Sequence, residues 1–128
     1  MNARDFDAEM VLYMNNDSVN KGGALVQLVS FPKADEETGE DLKADIEQYK
    51  GNFPELVEED FSTQHPAYGC FARCLYVEGD FYQYLVYVNP GANFKRGVSL
   101  ALNTSKRRPT DEELRGFRQI VYSFVMLK

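Results

Sequence analysis

The spacing of apolar residues along the chain predicts two helices among several strands. Between residues 40 and 50, Leu42, Ile46 and Tyr49 follow the helical period, and Phe53 extends the same apolar stripe. Acidic residues cluster at the front of this segment, where the helix dipole favours negative charge. Gly51 is predicted to end the helix as a left-handed cap, and Pro54 prevents it from resuming.

The second predicted helix covers residues 109–124 and has the clearest start signal in the chain. Thr110 followed by Glu113 is the pattern of a capping box. Leu114, Phe117 and Val121 then repeat at three and four residues, and Phe124 completes the stripe. Such a stripe is typical of a helix face packed on a core.

The remaining apolar segments are predicted strands. They lie at 10–14, 24–30, 55–63, 67–77, 81–88 and 98–105, and the last alternates apolar and polar residues cleanly. Short connections join the last three, which favours an antiparallel meander. We therefore predict one α+β domain over residues 1–128, with an antiparallel sheet of five to six strands and two helices packed on it.

The predicted hairpin at 71–88, "FARCLYVEGDFYQYLVYV", is unusual because both of its faces are apolar. With Gly79 and Asp80 as a two-residue turn, Cys74 would face Leu85 across the two strands. One face then carries Cys70, Ala72, Cys74, Tyr76, Phe81, Gln83, Leu85 and Tyr87. The other carries Phe71, Arg73, Leu75, Val77, Tyr82, Tyr84, Val86 and Val88.

We assign the second, more aliphatic set to a core covered by both helices, since two helices can hardly cover both faces of such a sheet. The first set would then form a partly open surface, which suits tyrosine. Two alternatives remain at this point. The sheet could curl so that its own edge strands cover this face, and a register slip of one residue would exchange the faces.

Composition is that of an ordinary globular protein, with 44% hydrophobic and 27% charged residues. No apolar run approaches the roughly 20 residues that would span a bilayer, and no signal peptide is visible, so we expect a cytoplasmic protein without a membrane role. The net charge of −6 argues against nucleic acid as a partner. Residues 95–128 nevertheless carry a net charge of +5, which predicts either a basic patch or a solvated helix face.

Few residues favour catalysis or metal binding. His65 is the only histidine and precedes a proline, which is typical of a surface loop. On a strand, Cys70 and Cys74 would lie about 13 Å apart, too far for a disulfide, and no other cysteine could complete a metal site. We predict free, buried thiols, no catalytic residue, no metal and no cofactor.

The second half of the chain resembles the PsbP-like family. The resemblance covers residues 38–124 and lies in a helix near "YKGNFPEL", the long hairpin, the strand "GVSLALNTS" and a closing helix that ends in "FRQIVYSF". "NDSVN" at 16–20 is similar to a run in the branch that serves as chaperones of type VI secretion effectors. The usual tryptophan is missing. The resemblance implies a non-enzymatic binder with a helix-flanked antiparallel sheet.

Our main hypothesis is a protein-binding module, an adaptor or a secretion-type chaperone. Its predicted partner surface consists of Tyr76, Phe81, Gln83, Leu85 and Tyr87, and its partner would be another protein, such as a secreted effector, or a second copy in a homodimer. The alternative is a small enzyme or ligand-binding domain with an acidic cleft near Asp60 and His65.

Overall fold

A computed structural model of the chain describes residues 9–13, 23–32, 39–91 and 94–125; of residues 9–13 it describes the backbone. The described elements follow one another as β1 (Glu9–Tyr13), β2 (Leu25–Pro32), α1 (Gly39–Asn52), β3 (Val57–Asp60), β4 (Gly69–Val77), β5 (Phe81–Asn89), β6 (Arg96–Ser105) and α2 (Asp111–Ser123). The run at 16–20 that is similar to the effector chaperones lies outside the described residues.

The six strands form one antiparallel sheet in the order β1-β2-β6-β5-β4-β3. The meander of β4, β5 and β6 is confirmed, and β2 pairs with β6 on its other side. This arrangement places β5 and β6 at the centre of the sheet. The predicted α+β class, with an antiparallel sheet and two helices, is confirmed.

Both helices form where their apolar stripes predict them. Leu42 and Ile46 of α1 are buried, as are Phe117 and Val121 of α2. The prediction for Gly51 was wrong, because α1 continues to Asn52 and the amide of Phe53 still donates to the carbonyl of Tyr49 at 2.8 Å. The helix therefore ends just before Pro54, which has no amide hydrogen to donate.

The capping box of α2 is confirmed and is part of a larger network. The amide of Glu113 donates to Oγ1 of Thr110 at 3.1 Å, and the amide of Thr110 donates to Oε1 of Glu113 at 2.9 Å. The buried Glu113 carboxylate also accepts hydrogen bonds from both terminal nitrogens of Arg107, at 2.7 and 2.8 Å. This bidentate pair ties the start of α2 to the segment that follows β6.

The hairpin between β4 and β5 has a different register from the one predicted. Val77 pairs with Phe81, so its loop contains three residues, Glu78 to Asp80, rather than two. The amide of Asp80 donates to the carbonyl of Val77 at 2.9 Å, and Gly79 adopts a positive φ of 76° that glycine tolerates without strain. The extra loop residue moves every β5 side chain to the opposite face from the predicted one.

The helices pack on opposite faces of the sheet, so the expectation that both cover one face was wrong. We call the face under α1 the α1 side; its core joins Leu42 and Ile46 to Phe31, Leu75, Leu85, Tyr87 and Ala101. The opposite face is the α2 side; its core joins Phe117 and Val121 to Ala24, Val26, Cys74, Tyr84, Val86, Val88, Val98, Leu100 and Leu102. The hairpin is apolar on both faces because each face has its own helix.

One helix cannot cover the width of this sheet. A helix with its side chains is about 10 Å across and strands lie about 4.8 Å apart, so it shelters about two strands. On the α1 side, α1 packs over β4 and β5, and the surface of β2 and β6 on that side lies beyond the helix. The uncovered part of this face is where the candidate site lies.

Candidate functional site

The five residues of the predicted partner surface do not share one face. Phe81, Gln83, Leu85 and Tyr87 lie on the α1 side, whereas Tyr76 lies on the α2 side next to its cross-strand partner Tyr82. The three-residue loop of the hairpin is the reason, because it shifts β5 by one residue against β4. The prediction that this surface is partly open was also wrong for Leu85 and Tyr87, because each is only 5% exposed.

What remains open on the α1 side is a cleft of about 380 Å³ between α1 and the sheet. Its floor consists of strand residues that alternate toward α1: Gln27 and Val29 from β2, Ser99 and Ala101 from β6, and Leu85 and Tyr87 from β5. Its wall consists of four α1 residues, namely Asp41, Ala44, Asp45 and Tyr49. The end of β2 and Gln83 complete the lining. Three of the predicted partner residues, Gln83, Leu85 and Tyr87, thus line one site.

Phe81 lies beside this cleft rather than in it. Its ring packs edge to face on Phe53, with ring centroids 5.1 Å apart. Together with Tyr49 and Gln83, these rings line a shallower hollow next to the cleft. Because Tyr49 and Gln83 line both depressions, the two are neighbours on the α1 side.

Two carboxylates stand on the helical wall of the cleft. Asp41 and Asp45 are four residues apart, so α1 presents them on the same face. Burial raises the pKa of Asp45 above its ordinary value, and the nearby carboxylate of Asp41 raises it further. The described lining contains no lysine, arginine or histidine, so the cleft is acidic as well as apolar.

Sequence reasoning passed over these two aspartates. They belong to an acidic helical segment whose charges the sequence analysis explained by the helix dipole. A signal was nevertheless present, because Asp45 lies directly before the buried Ile46 and one turn after Asp41. Helical periodicity places such a residue at the boundary of the apolar stripe, where a side chain faces the edge of the core.

The α2 side holds a packed cluster of aromatic rings and charges around Arg108. Its guanidinium lies 4.6 Å from the ring centre of Tyr76 and 5.0 Å from that of Tyr82, and it pairs with Glu59 at 3.4 Å. The hydrogen bond from Arg108 is the first cause of the lowered pKa of Glu59. Cation–π contacts and this ion pair hold the segment before α2 on the sheet, so Tyr76 has a structural contact here.

Asp60 and His65, the two residues of the alternative prediction, each make contacts within the chain. The carboxylate of Asp60 forms an ion pair with Arg73. Nδ1 of His65 accepts hydrogen bonds from the backbone amides of Ala67 and Tyr68, both at 3.0 Å. The proton of the ring therefore lies on Nε2, which donates it to the carbonyl of Phe124. The imidazole therefore fixes a loop against the end of α2.

The cysteines are free thiols, as predicted. Cys74 is buried in the core of the α2 side and Cys70 is half-buried at its edge. Burial raises the pKa of both thiols, which keeps them protonated and weakly nucleophilic at neutral pH. Neither lines the cleft, which lies on the opposite face.

Four arginines of the C-terminal third make contacts within the chain. Arg107 pairs with Glu113 and Arg108 with Glu59, while Arg118 lies 4.7 Å from the ring centre of Phe61. Arg96 donates to Oγ of Ser30 at 2.9 Å. Each of these four cations is thus engaged within the chain.

The described residues include neither a candidate metal cluster nor a membrane-spanning helix. No group of three or more His, Cys, Asp and Glu side chains in that part of the chain could hold a metal ion. Neither of the described helices is long and apolar enough to cross a membrane.

No protein-family model matches the chain, and no curated protein matches it significantly. The resemblance to the PsbP-like family therefore stays a prediction.

Proposed function

We propose that this protein is a non-catalytic binding module that holds a segment of a partner protein in the cleft between α1 and the sheet. The observation that carries the proposal is the floor of the cleft, where Val29, Leu85, Tyr87 and Ala101 from three adjacent strands turn apolar atoms toward an open space. The α1 helix leaves the β2 and β6 part of this floor uncovered because it packs over β4 and β5.

The size and construction of the cleft support this function. A volume of about 380 Å³ falls within the range of roughly 300–1,000 Å³ that is usual for binding pockets. Its floor belongs to the centre of the sheet, where every strand is paired on both sides, so the site is formed before a partner arrives. A preformed site loses little conformational entropy on binding.

The polar groups of the cleft favour binding over catalysis. Gln83 and Ser99 can donate and accept hydrogen bonds beside the apolar residues of the lining, which suits the backbone of a peptide. The imidazole of His65 and the thiol of Cys74 are engaged elsewhere in the fold. The proposed partner is therefore a peptide segment that inserts an apolar side chain.

The test uses a defined neutral probe, the acetylated and amidated pentapeptide Gly-Leu-Gln-Val-Gly. Titration into isotopically labelled protein should shift the backbone amide signals of β5, β6 and α1 that surround Leu85 and Ala101. Ser99 lies in the floor, so Ser99→Phe should fill the cleft and remove these shifts. Gln119→Phe adds the same ring at an exposed position of α2 and should leave them unchanged.

Shifts that map to another surface, or equal binding by the Ser99→Phe variant, would refute the proposal. Sedimentation of the same variants identifies a homodimer. If the wild type is a dimer that Ser99→Phe dissociates and Gln119→Phe does not, a second copy of the chain occupies the cleft.

A further inference from the structure

The carboxylate of Asp45 is set apart by its surroundings. It is half-buried on the wall of the cleft, and it forms no hydrogen bond or ion pair with any residue that the structure describes. The position is fixed by the helix, because Ile46 beside it is anchored in the core of the α1 side. Asp45 therefore presents a negative charge at a defined place above an apolar floor.

Elsewhere in the fold, partly buried carboxylates have a cation beside them. Glu58 is paired with both Lys50 and Arg73, at 3.2 and 2.8 Å, and Glu113 is paired with Arg107. These pairs offset the cost of taking a charge partly out of water. The described lining of the cleft contains no such cation.

We infer that the segment bound in this cleft carries a lysine or arginine side chain beside its apolar residue, and that Asp45 receives the cation. This inference rests on the proposed function and names the chemistry of the partner. A basic side chain suits the site because its methylene groups can lie on the floor of Val29 and Ala101 while its charged end reaches the wall. Asp41, one turn earlier, adds negative potential at the same place.

The pKa of Asp45 gives the inference a pH dependence. Burial and the charge of Asp41 raise this pKa, so a bound cation would stabilise the ionised form and lower it. Binding should therefore strengthen as the pH rises through the pKa of Asp45. The other titratable groups that line the described cleft are Asp41 and Tyr49 on α1 and Tyr87 on β5, whereas β2 and β6 contribute uncharged residues.

The experiment compares three acetylated and amidated pentapeptides that differ only at the centre: Gly-Leu-Lys-Val-Gly, Gly-Leu-Gln-Val-Gly and Gly-Leu-Glu-Val-Gly. We expect the lysine peptide to bind about fivefold more tightly than the glutamine peptide, and the glutamate peptide to bind most weakly. Asp45→Asn should abolish the advantage of the lysine peptide over the glutamine peptide. Glu47→Gln, which removes one exposed charge from the same helix, should preserve the advantage.

The outcomes separate this inference from the proposed function. Equal binding of all three peptides in the cleft would overturn the inference and leave the binding module intact. A lysine advantage that survives Asp45→Asn would also overturn it, because the cation would then lie elsewhere. Failure of every peptide to bind would overturn both. Thermal unfolding of each variant confirms that it is folded.

Discussion

On the α2 side, Phe117, Val121 and Leu100 are fully buried and an arginine-rich segment closes over the sheet, whereas on the α1 side the helix leaves a cleft beside Leu85 and Tyr87. The same strands supply both faces through alternate residues. The difference therefore arises from the segments that cover the sheet, not from the sheet itself. The α1 side keeps part of its apolar surface accessible in the cleft between α1 and the sheet.

The largest expected effect comes from replacing one buried leucine on each face of the sheet by alanine. Leu102 and Leu85 lie on neighbouring central strands and are 0% and 5% exposed. Replacing a buried leucine by alanine costs about 2–5 kcal/mol of unfolding free energy, depending on the void that remains. We expect Leu102→Ala near the upper end of that range, because Leu102 is fully buried inside the core of the α2 side.

Leu85→Ala should lie near the lower end, because the space that it leaves opens into the cleft and can fill with water. Urea denaturation of both variants measures the difference. Equal losses would show that the cleft closes in solution and that the two faces are packed alike.

A smaller effect is expected at the start of α2. Thr110→Ala removes the hydroxyl that accepts the amide of Glu113, and a lost N-cap typically costs about 1 kcal/mol. Ser123→Ala, which removes an exposed hydroxyl at the other end of the same helix, should change the stability by less than about 0.5 kcal/mol. If the two variants unfold at the same urea concentration, the capping box does not contribute to the firm attachment of α2.

The smallest expected effect is a gain in stability, and it concerns Asp45 in the cleft. The pKa of Asp45 is raised in the folded protein, so the folded state binds a proton more tightly than the unfolded state does. The charged carboxylate therefore destabilises the fold at neutral pH, and Asp45→Asn should raise the melting temperature slightly. This gain should shrink as the pH falls through the raised pKa, where the wild-type carboxyl becomes protonated.

Melting curves between neutral pH and about pH 3 test this, with Glu47→Gln as the control of equal charge. A stabilisation by Asp45→Asn that is independent of pH would show that the aspartate is not strained by its environment. A loss of stability would show that it already has a cation in the free protein.

Local signals in the sequence were sufficient for most elements of the fold. The capping box of Thr110 and Glu113 and the stripe of Leu42 and Ile46 are properties of one segment, and each is present as predicted. The antiparallel order of β4, β5 and β6 followed from their short connections. These inferences did not need to know what any element packs against.

The register of the hairpin and the side taken by each helix could not be inferred in that way. Gly79 was recognised as a turn residue, but a two-residue and a three-residue loop are both compatible with the sequence around it. Both faces of β5 carry apolar residues, so the sequence predicts that both faces are buried. It does not specify which helix covers which face. The wrong register affected the prediction of the site most, because that prediction placed Tyr76 and Leu85 on the same face.

The loop of Glu78, Gly79 and Asp80 has an evolutionary consequence. Surface loops usually accept insertions and deletions of any size, since few contacts depend on them. Here a change of one residue would transfer Gln83, Leu85 and Tyr87 out of the cleft and bring Tyr82, Tyr84 and Val86 into it. Related chains that keep the cleft should therefore differ in this loop by even numbers of residues, a parity rule that comparison of their lengths can check.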